Sequence, residues 1–111
     1  MSTTLISPHT VFIQLKDYIE YPDAGVLNKV IWKNELCQYS LFCLAASTEI
    51  SEHTSTRHAT VQVMEGTGSL TLKGEKIALS PGVFIFMAAN APHALEAATN
   101  LAFVLTLSSS S

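Results

Sequence analysis

Most of the side-chain chemistry open to this chain of 111 residues lies in its histidines. His53 closes Ile50-Ser51-Glu52-His53, and His58 opens the apolar stretch Ala59 to Met64. His93 ends the loop Ala88-Ala89-Asn90-Ala91-Pro92-His93, directly after the apolar run Val83 to Met87. His9 belongs to no pattern. A neutral imidazole can act as a base, a hydrogen-bond partner or a ligand for divalent transition metals. Histidines 53, 58 and 93 all fall where an expected strand meets a turn, the place where a rigid sheet usually presents binding groups. Other chemistries find no support, since neither G-x-x-x-x-G-K-[ST] nor G-x-S-x-G occurs.

The elements that must carry these groups are strands. Residues 1–25 read as an N-terminal arm and edge strand: a Ser/Thr-rich start, the short apolar run Val11 to Leu15, one helical turn over Lys16 to Ile19, and a turn at Tyr21-Pro22-Asp23-Ala24-Gly25. From Val26 the pattern is β. Val26 to Trp32 is rich in β-branched residues, and Leu36 to Ala46 is apolar enough to be buried on both faces. After a break at Ser47-Thr48-Glu49 come Ala59 to Met64, a hairpin of Ser69 to Leu72 with Lys76 to Leu79, then Val83 to Met87, Ala94 to Ala97 and Leu101 to Leu107. Residues 108–111 read as a disordered tail. About eight strands with regularly spaced turns and no long helix predict an all-β barrel or sandwich in one domain.

Composition narrows the partners. Nearly half the residues are apolar (48%) and only 14% are charged, so part of the apolar surface is expected to be covered, most simply in a homodimer. The formal charge is −3 and the six basic residues are scattered, which argues against nucleic acid. No apolar run is long enough to span a bilayer, and Met1 to Thr10 has neither a basic start nor an apolar segment. Cys37 and Cys43, six residues apart on one strand, lie roughly 20 Å apart, beyond disulfide reach. Together these features lead to the expectation of a cytoplasmic protein.

The order of turns and histidines resembles the cupin superfamily, small jelly-roll barrels (double-stranded β-helices, RmlC-like). In the second of the family's two segments, glycine, five residues, Pro-x-Gly, two residues and histidine map onto Gly82, Ala88, Asn90 and His93. Asn90 stands where the second glycine would, and asparagine accepts left-handed backbone. In the first segment His53 and Gly66 keep their spacing, and Val63-Met64-Glu65-Gly66-Thr67-Gly68 resembles the strand and turn that follow. Ser47 replaces the leading glycine, Ser55 the second histidine and Ala59 the carboxylate. The resemblance spans about Val26 to Leu107 and implies a barrel over residues 26–107.

The resemblance also implies where a metal would sit: inside the barrel, held in the family by three imidazoles and one carboxylate. This chain has His53 and His93 at matching places. On a regular strand Ala59, Val61 and Val63 share one face and His58, Thr60, Gln62 and Met64 the other, so His58 turns outward unless a bulge between Thr54 and Arg57 swings it in. With His58 inside, three imidazoles would suit Zn, Fe, Ni, Cu or Mn; without it, His53, His93 and Ser55 line an apolar pocket with Ala59 and Val61. No organic cofactor is implied. The leading expectation is a cupin that binds a small molecule, through a divalent metal or without one. The alternatives are a metal-dependent dioxygenase or isomerase using His53, His58 and His93, and a sensor or accessory subunit.

Overall fold

The computed structural model describes residues 4–109 and contains nine strands. These are β1 (Val26–Lys33), β2 (Cys37–Leu44), β3 (Glu49–His53), β4 (His58–Glu65), β5 (Gly68–Leu72), β6 (Glu75–Leu79), β7 (Phe84–Met87), β8 (His93–Ala97) and β9 (Leu101–Ser108). They form a five-stranded sheet in the order β1-β2-β9-β4-β7 and a four-stranded sheet in the order β3-β8-β5-β6, and every pairing is antiparallel. Because successive strands keep crossing between the sheets, the two close face to face as a jelly roll. Both inner faces are apolar. Alternation puts Ala59, Val61 and Val63 of β4, Ile85 and Met87 of β7, and Leu70 of β5 inside, each almost fully buried. Phe42 and Phe103, partners across β2 and β9, stack at 5.3 Å within this core.

Tight turns keep the registers. Lys73 and Gly74 both take positive φ (51° and 83°) in the two-residue β5–β6 turn, the geometry that suits the right-handed twist of a hairpin. Gly66 is held more strictly. At φ 91° its missing Cβ would lie 2.0 Å from the Asn100 carbonyl oxygen. Any side chain there would have to displace backbone.

The N-terminal arm folds over the outer face of the larger sheet. Leu5 and Ile6 donate backbone hydrogen bonds to Val30 and Ile31 at its β1 edge. After a single 3-10 turn (Leu15–Tyr18), the arm covers Leu41, Cys43 and Ala102 with Leu15, Tyr18, Ile19 and Tyr21. The Tyr21 hydroxyl donates to Glu65 Oε1 at 2.6 Å. Burial, reinforced by that carboxylate, raises the Tyr21 phenol above its ordinary range, and burial likewise pushes the Cys43 thiol up. Lys29 Nζ fastens the same segment through the Tyr18 carbonyl (2.9 Å) and Glu20 (3.1 Å). Both cysteines are free.

Two sequence-based boundaries shift. Glu49–His53 is a strand although its side chains are mostly exposed; the sequence reading had only a break and a histidine there. Ser108 ends β9, and the Ser109 N–H donates to the Leu36 carbonyl, so these two residues are not part of a disordered tail; Ser110 and Ser111, the rest of the expected tail, lie outside the described residues. Among the described residues no helix is long and apolar enough to cross a membrane.

Candidate functional site

His53 and His93 are direct cross-strand partners at the end of the smaller sheet, their rings edge to face with centroids 4.3 Å apart. Forty residues of chain separate them, so the fold alone makes this contact. A β-bulge aims the first. From Leu95 to His93 β8 advances two residues, while from Ile50 to His53 β3 advances three. In a regular ladder Glu52 would oppose His93; the extra residue brings His53 there instead, onto the same face as Ile50. The irregularity lies between Ile50 and His53, not between Thr54 and Arg57.

Each ring is held by a carbonyl two residues back. His53 Nδ1 lies 2.8 Å from Ser51 O, and His93 Nδ1 lies 2.9 Å from Ala91 O. A carbonyl oxygen only accepts, so each Nδ1 carries a proton, and in a neutral imidazole so held Nε2 is the acceptor. The backbone thereby sets tautomer and orientation, the part that a carboxylate such as Glu52 plays in many imidazole sites.

Both histidines line a cavity of about 170 Å³ between the two sheets, with Phe42, Ile50, Val61, Leu70, Met87, Leu95, Phe103 and Leu105 as its remaining wall. No charged residue is among them. His53 is exposed at the mouth and His93 is half-buried. The cavity therefore offers apolar surface for ring or alkyl groups and two imidazole acceptors at one end.

Of the other expected site residues, Val61 joins the wall and His58, Ser55 and Ala59 do not. His58 lies on the outer face of β4: its Nδ1 accepts the Ala89 N–H at 3.0 Å, and its ring sits 5.4 Å from that of the exposed Phe86. Regular pairing of His58 with Ser108 leaves no bulge to turn it inward, so the three-imidazole arrangement does not form. Ser55 is not part of the wall either. Its hydroxyl accepts the Arg57 N–H (3.1 Å) and its carbonyl the Asn90 N–H (2.7 Å), bracing the loop that carries His93. Ala59 faces the interior but belongs to the packed core beside the cavity, whereas Val61 is wall. Asn90 has φ 69°, the left-handed conformation expected of a glycine replacement, and Ser47, at the leading glycine's place, has φ 72°.

The metal set that the fold family implies is not reproduced by these residues. Two imidazoles converge, the carboxylate position is Ala59, and among the described residues no three His, Cys, Asp or Glu side chains are grouped to hold an ion. Transition-metal sites in enzymes commonly use three protein ligands.

Comparison with known proteins agrees with the architecture. The model of the cupin domain family matches residues 40–108. The fold is similar to that of a conserved protein of unknown function from Streptococcus pyogenes (TM-score 0.84, 23% identity, covering 98% of this chain and 95% of that one). It is also similar to a cupin superfamily protein from Desulfitobacterium hafniense (TM-score 0.82, 22% identity, 87% and 89% covered). A salicylate 1,2-dioxygenase from Pseudaminobacter salicylatoxidans is similar over 76% of this chain but 26% of its own length (TM-score 0.71, 20% identity). At such identities the likeness concerns the fold. A search of curated proteins gives no match. With the domain matched over more than half of its length, the chain belongs to the cupin family.

Proposed function

We propose that this cupin binds a small, mainly apolar molecule in the barrel cavity and recognises it through hydrogen bonds donated to Nε2 of His53 and His93. The observation that carries this reading is the contact of each Nδ1 with a backbone carbonyl at 2.8–2.9 Å, which engages its proton there and leaves Nε2 to the ligand, on two rings that line an otherwise apolar wall. An acceptor that a ligand strips of water without supplying a donor is costly, so the pair favours ligands bearing O–H or N–H groups. Size sets the other limit. A cavity near 150 Å³ lined by Leu, Ile and Phe holds one benzene ring, and about 170 Å³ with a similar wall suits one substituted ring or an alkyl group of like bulk.

The reading needs no metal, because two imidazoles alone hold a divalent ion weakly. Nor does it assign a reaction: no carboxylate or nucleophile accompanies the pair in the wall. The test is a matched set of probes (catechol, phenol and toluene) titrated by calorimetry and by saturation-transfer NMR. They share a ring and differ in donors, two, one and none. Affinity should fall in that order, by about fivefold for each donor lost, from a net hydrogen-bond contribution near 1 kcal/mol. Equal affinity for all three, or binding to none, would reject the reading.

A further inference from the structure

We infer that His58, on the outside of the barrel, is a positioning residue for His93 inside it, and that protonation of His58 loosens the ligand site in acid. The inference rests on the reading that Nε2 of His93 meets the ligand. The two rings are linked through residues 88–92, which join β7 to β8. Successive N–H groups there each have an acceptor: Ala89 donates to His58 Nδ1 at 3.0 Å, Asn90 to the Ser55 carbonyl at 2.7 Å and Ala91 to the Ala88 carbonyl at 3.1 Å. The Ala91 carbonyl in turn holds the His93 ring at 2.9 Å. Ala91 is packed inward, so its carbonyl takes its place from the turn that Ala89 and Asn90 fix. Of the three acceptors, only the imidazole titrates.

That makes the tie at Ala89 conditional. A backbone N–H only donates, so Nδ1 of His58 carries no proton while the bond lasts. In the neutral ring the proton is then on Nε2, the tautomer opposite to that of His53 and His93. Adding a proton turns both nitrogens into donors, and N–H meets N–H at Ala89. The bond must break. Imidazoles change charge between about pH 5 and pH 8, so the tie is whole at the upper end of that window and lost toward the lower. The ring is flanked by Ser108 on β9 and Phe86 on β7, with Cys37 of β2 beyond Ser108 in the same row. Arg57 precedes it in the chain, and among the described residues no carboxylate is within ion-pair distance of it. The Ser55–Asn90 bond involves no titratable atom, so acid frees the connection at Ala89 without detaching it.

His58→Asn and His58→Phe separate the parts. Asparagine offers an oxygen near the place of Nδ1 and does not titrate; phenylalanine keeps a ring beside Phe86 and removes the acceptor. In the ligand-free protein, protection of the Ala89 amide against hydrogen exchange should fall about fivefold from the upper to the lower end of that pH window, the worth of one net hydrogen bond. It should stay level in His58→Asn and be low throughout in His58→Phe. At the upper end, the Nδ1–H resonance of His93 should weaken in His58→Phe and recover in His58→Asn, which a merely local role for His58 would not produce. Catechol titrations add the ligand: the ratio of wild-type to His58→Asn affinity, in which the titrations of His53 and His93 cancel, should be near one at the upper end and drop about fivefold at the lower. Ala89 protection indifferent to pH in the wild type, or a His93 ring indifferent to His58→Phe, would overturn the inference. So would an affinity ratio that stays flat. Should catechol bind none of the three proteins, the ligand reading falls, and the two ligand-free measurements still decide whether His58 positions His93.

Discussion

Val61→Phe should make the protein more stable and at the same time abolish ring binding. Val61 sits at the middle of β4, points into the interior, is 1% exposed and forms part of the cavity wall. Replacing isopropyl by benzyl adds about 50 Å³; at ~24 cal/mol per Å³ of cavity filled this contributes on the order of 1 kcal/mol. For a domain of this size that raises Tm by about 4 °C. The space left, about 120 Å³, falls below the ~150 Å³ that accommodates one benzene, so the shift in Tm that catechol causes in the wild type should vanish. Differential scanning calorimetry with and without millimolar catechol gives both quantities in one experiment. Had the two sheets been packed without a void, the same substitution would overfill the core and cost about 1–3 kcal/mol. A fall in Tm of several degrees, or unchanged catechol binding, would refute the cavity argument.

Further outcomes follow from other contacts. His53→Phe and His93→Phe each remove one Nε2 acceptor and should weaken catechol about fivefold, in line with ~1 kcal/mol per hydrogen bond, while calorimetry with toluene stays level. Gly66→Ala forces a methyl group onto the Asn100 carbonyl and should cost more than about 3 kcal/mol in urea unfolding, the range of severe steric and backbone conflicts. Ser47→Gly relieves a left-handed non-glycine residue and should gain about 1 kcal/mol in the same assay. Tyr21 has its ionisation raised by burial and by Glu65; its contribution is therefore whole below the unfolded phenol value near 10 and is lost as pH climbs beyond it. Tyr21→Phe should cost about 1.5 kcal/mol at pH 7, typical of a hydrogen bond to a charged group, and should flatten the loss of stability above pH 10 in a pH series of melts.

The strands legible in the sequence were those whose burial wrote itself into residue type. β4 and β9 are long and apolar, the β5–β6 turn has its glycine, and Asn90 advertised a left-handed backbone. β3 was illegible for the opposite reason: of Glu49 to His53 only Ile50 is even half-buried, so alternation left almost no trace. The site was legible in part. Spacing nominated His53 and His93, and regular β4 alternation correctly suggested that His58 looks outward. What spacing could not disclose was the bulge at Ser51 and Glu52, because it depends on how β3 meets β8 across a gap of forty residues. Ser55 failed as a wall residue because its polar atoms are consumed locally, by Arg57 and Asn90. The rest of the wall, Phe42, Ile50, Leu70, Met87, Leu95, Phe103 and Leu105, comes from six different strands, and a core residue and a cavity residue of the same type look alike in one dimension.

The bulge in β3 has a consequence for how such a barrel changes its chemistry over time. Straightened without any loss of residues, the strand would set the carboxylate of Glu52 against His93 and turn an all-acceptor lip into an ion-paired one. Deleting Ser51 would also straighten it, yet leave the imidazole where it is. A slip of one peptide unit can therefore do here what is usually attributed to amino-acid replacement, and insertions or deletions between Ile50 and His53 deserve the same scrutiny as changes to the histidines themselves.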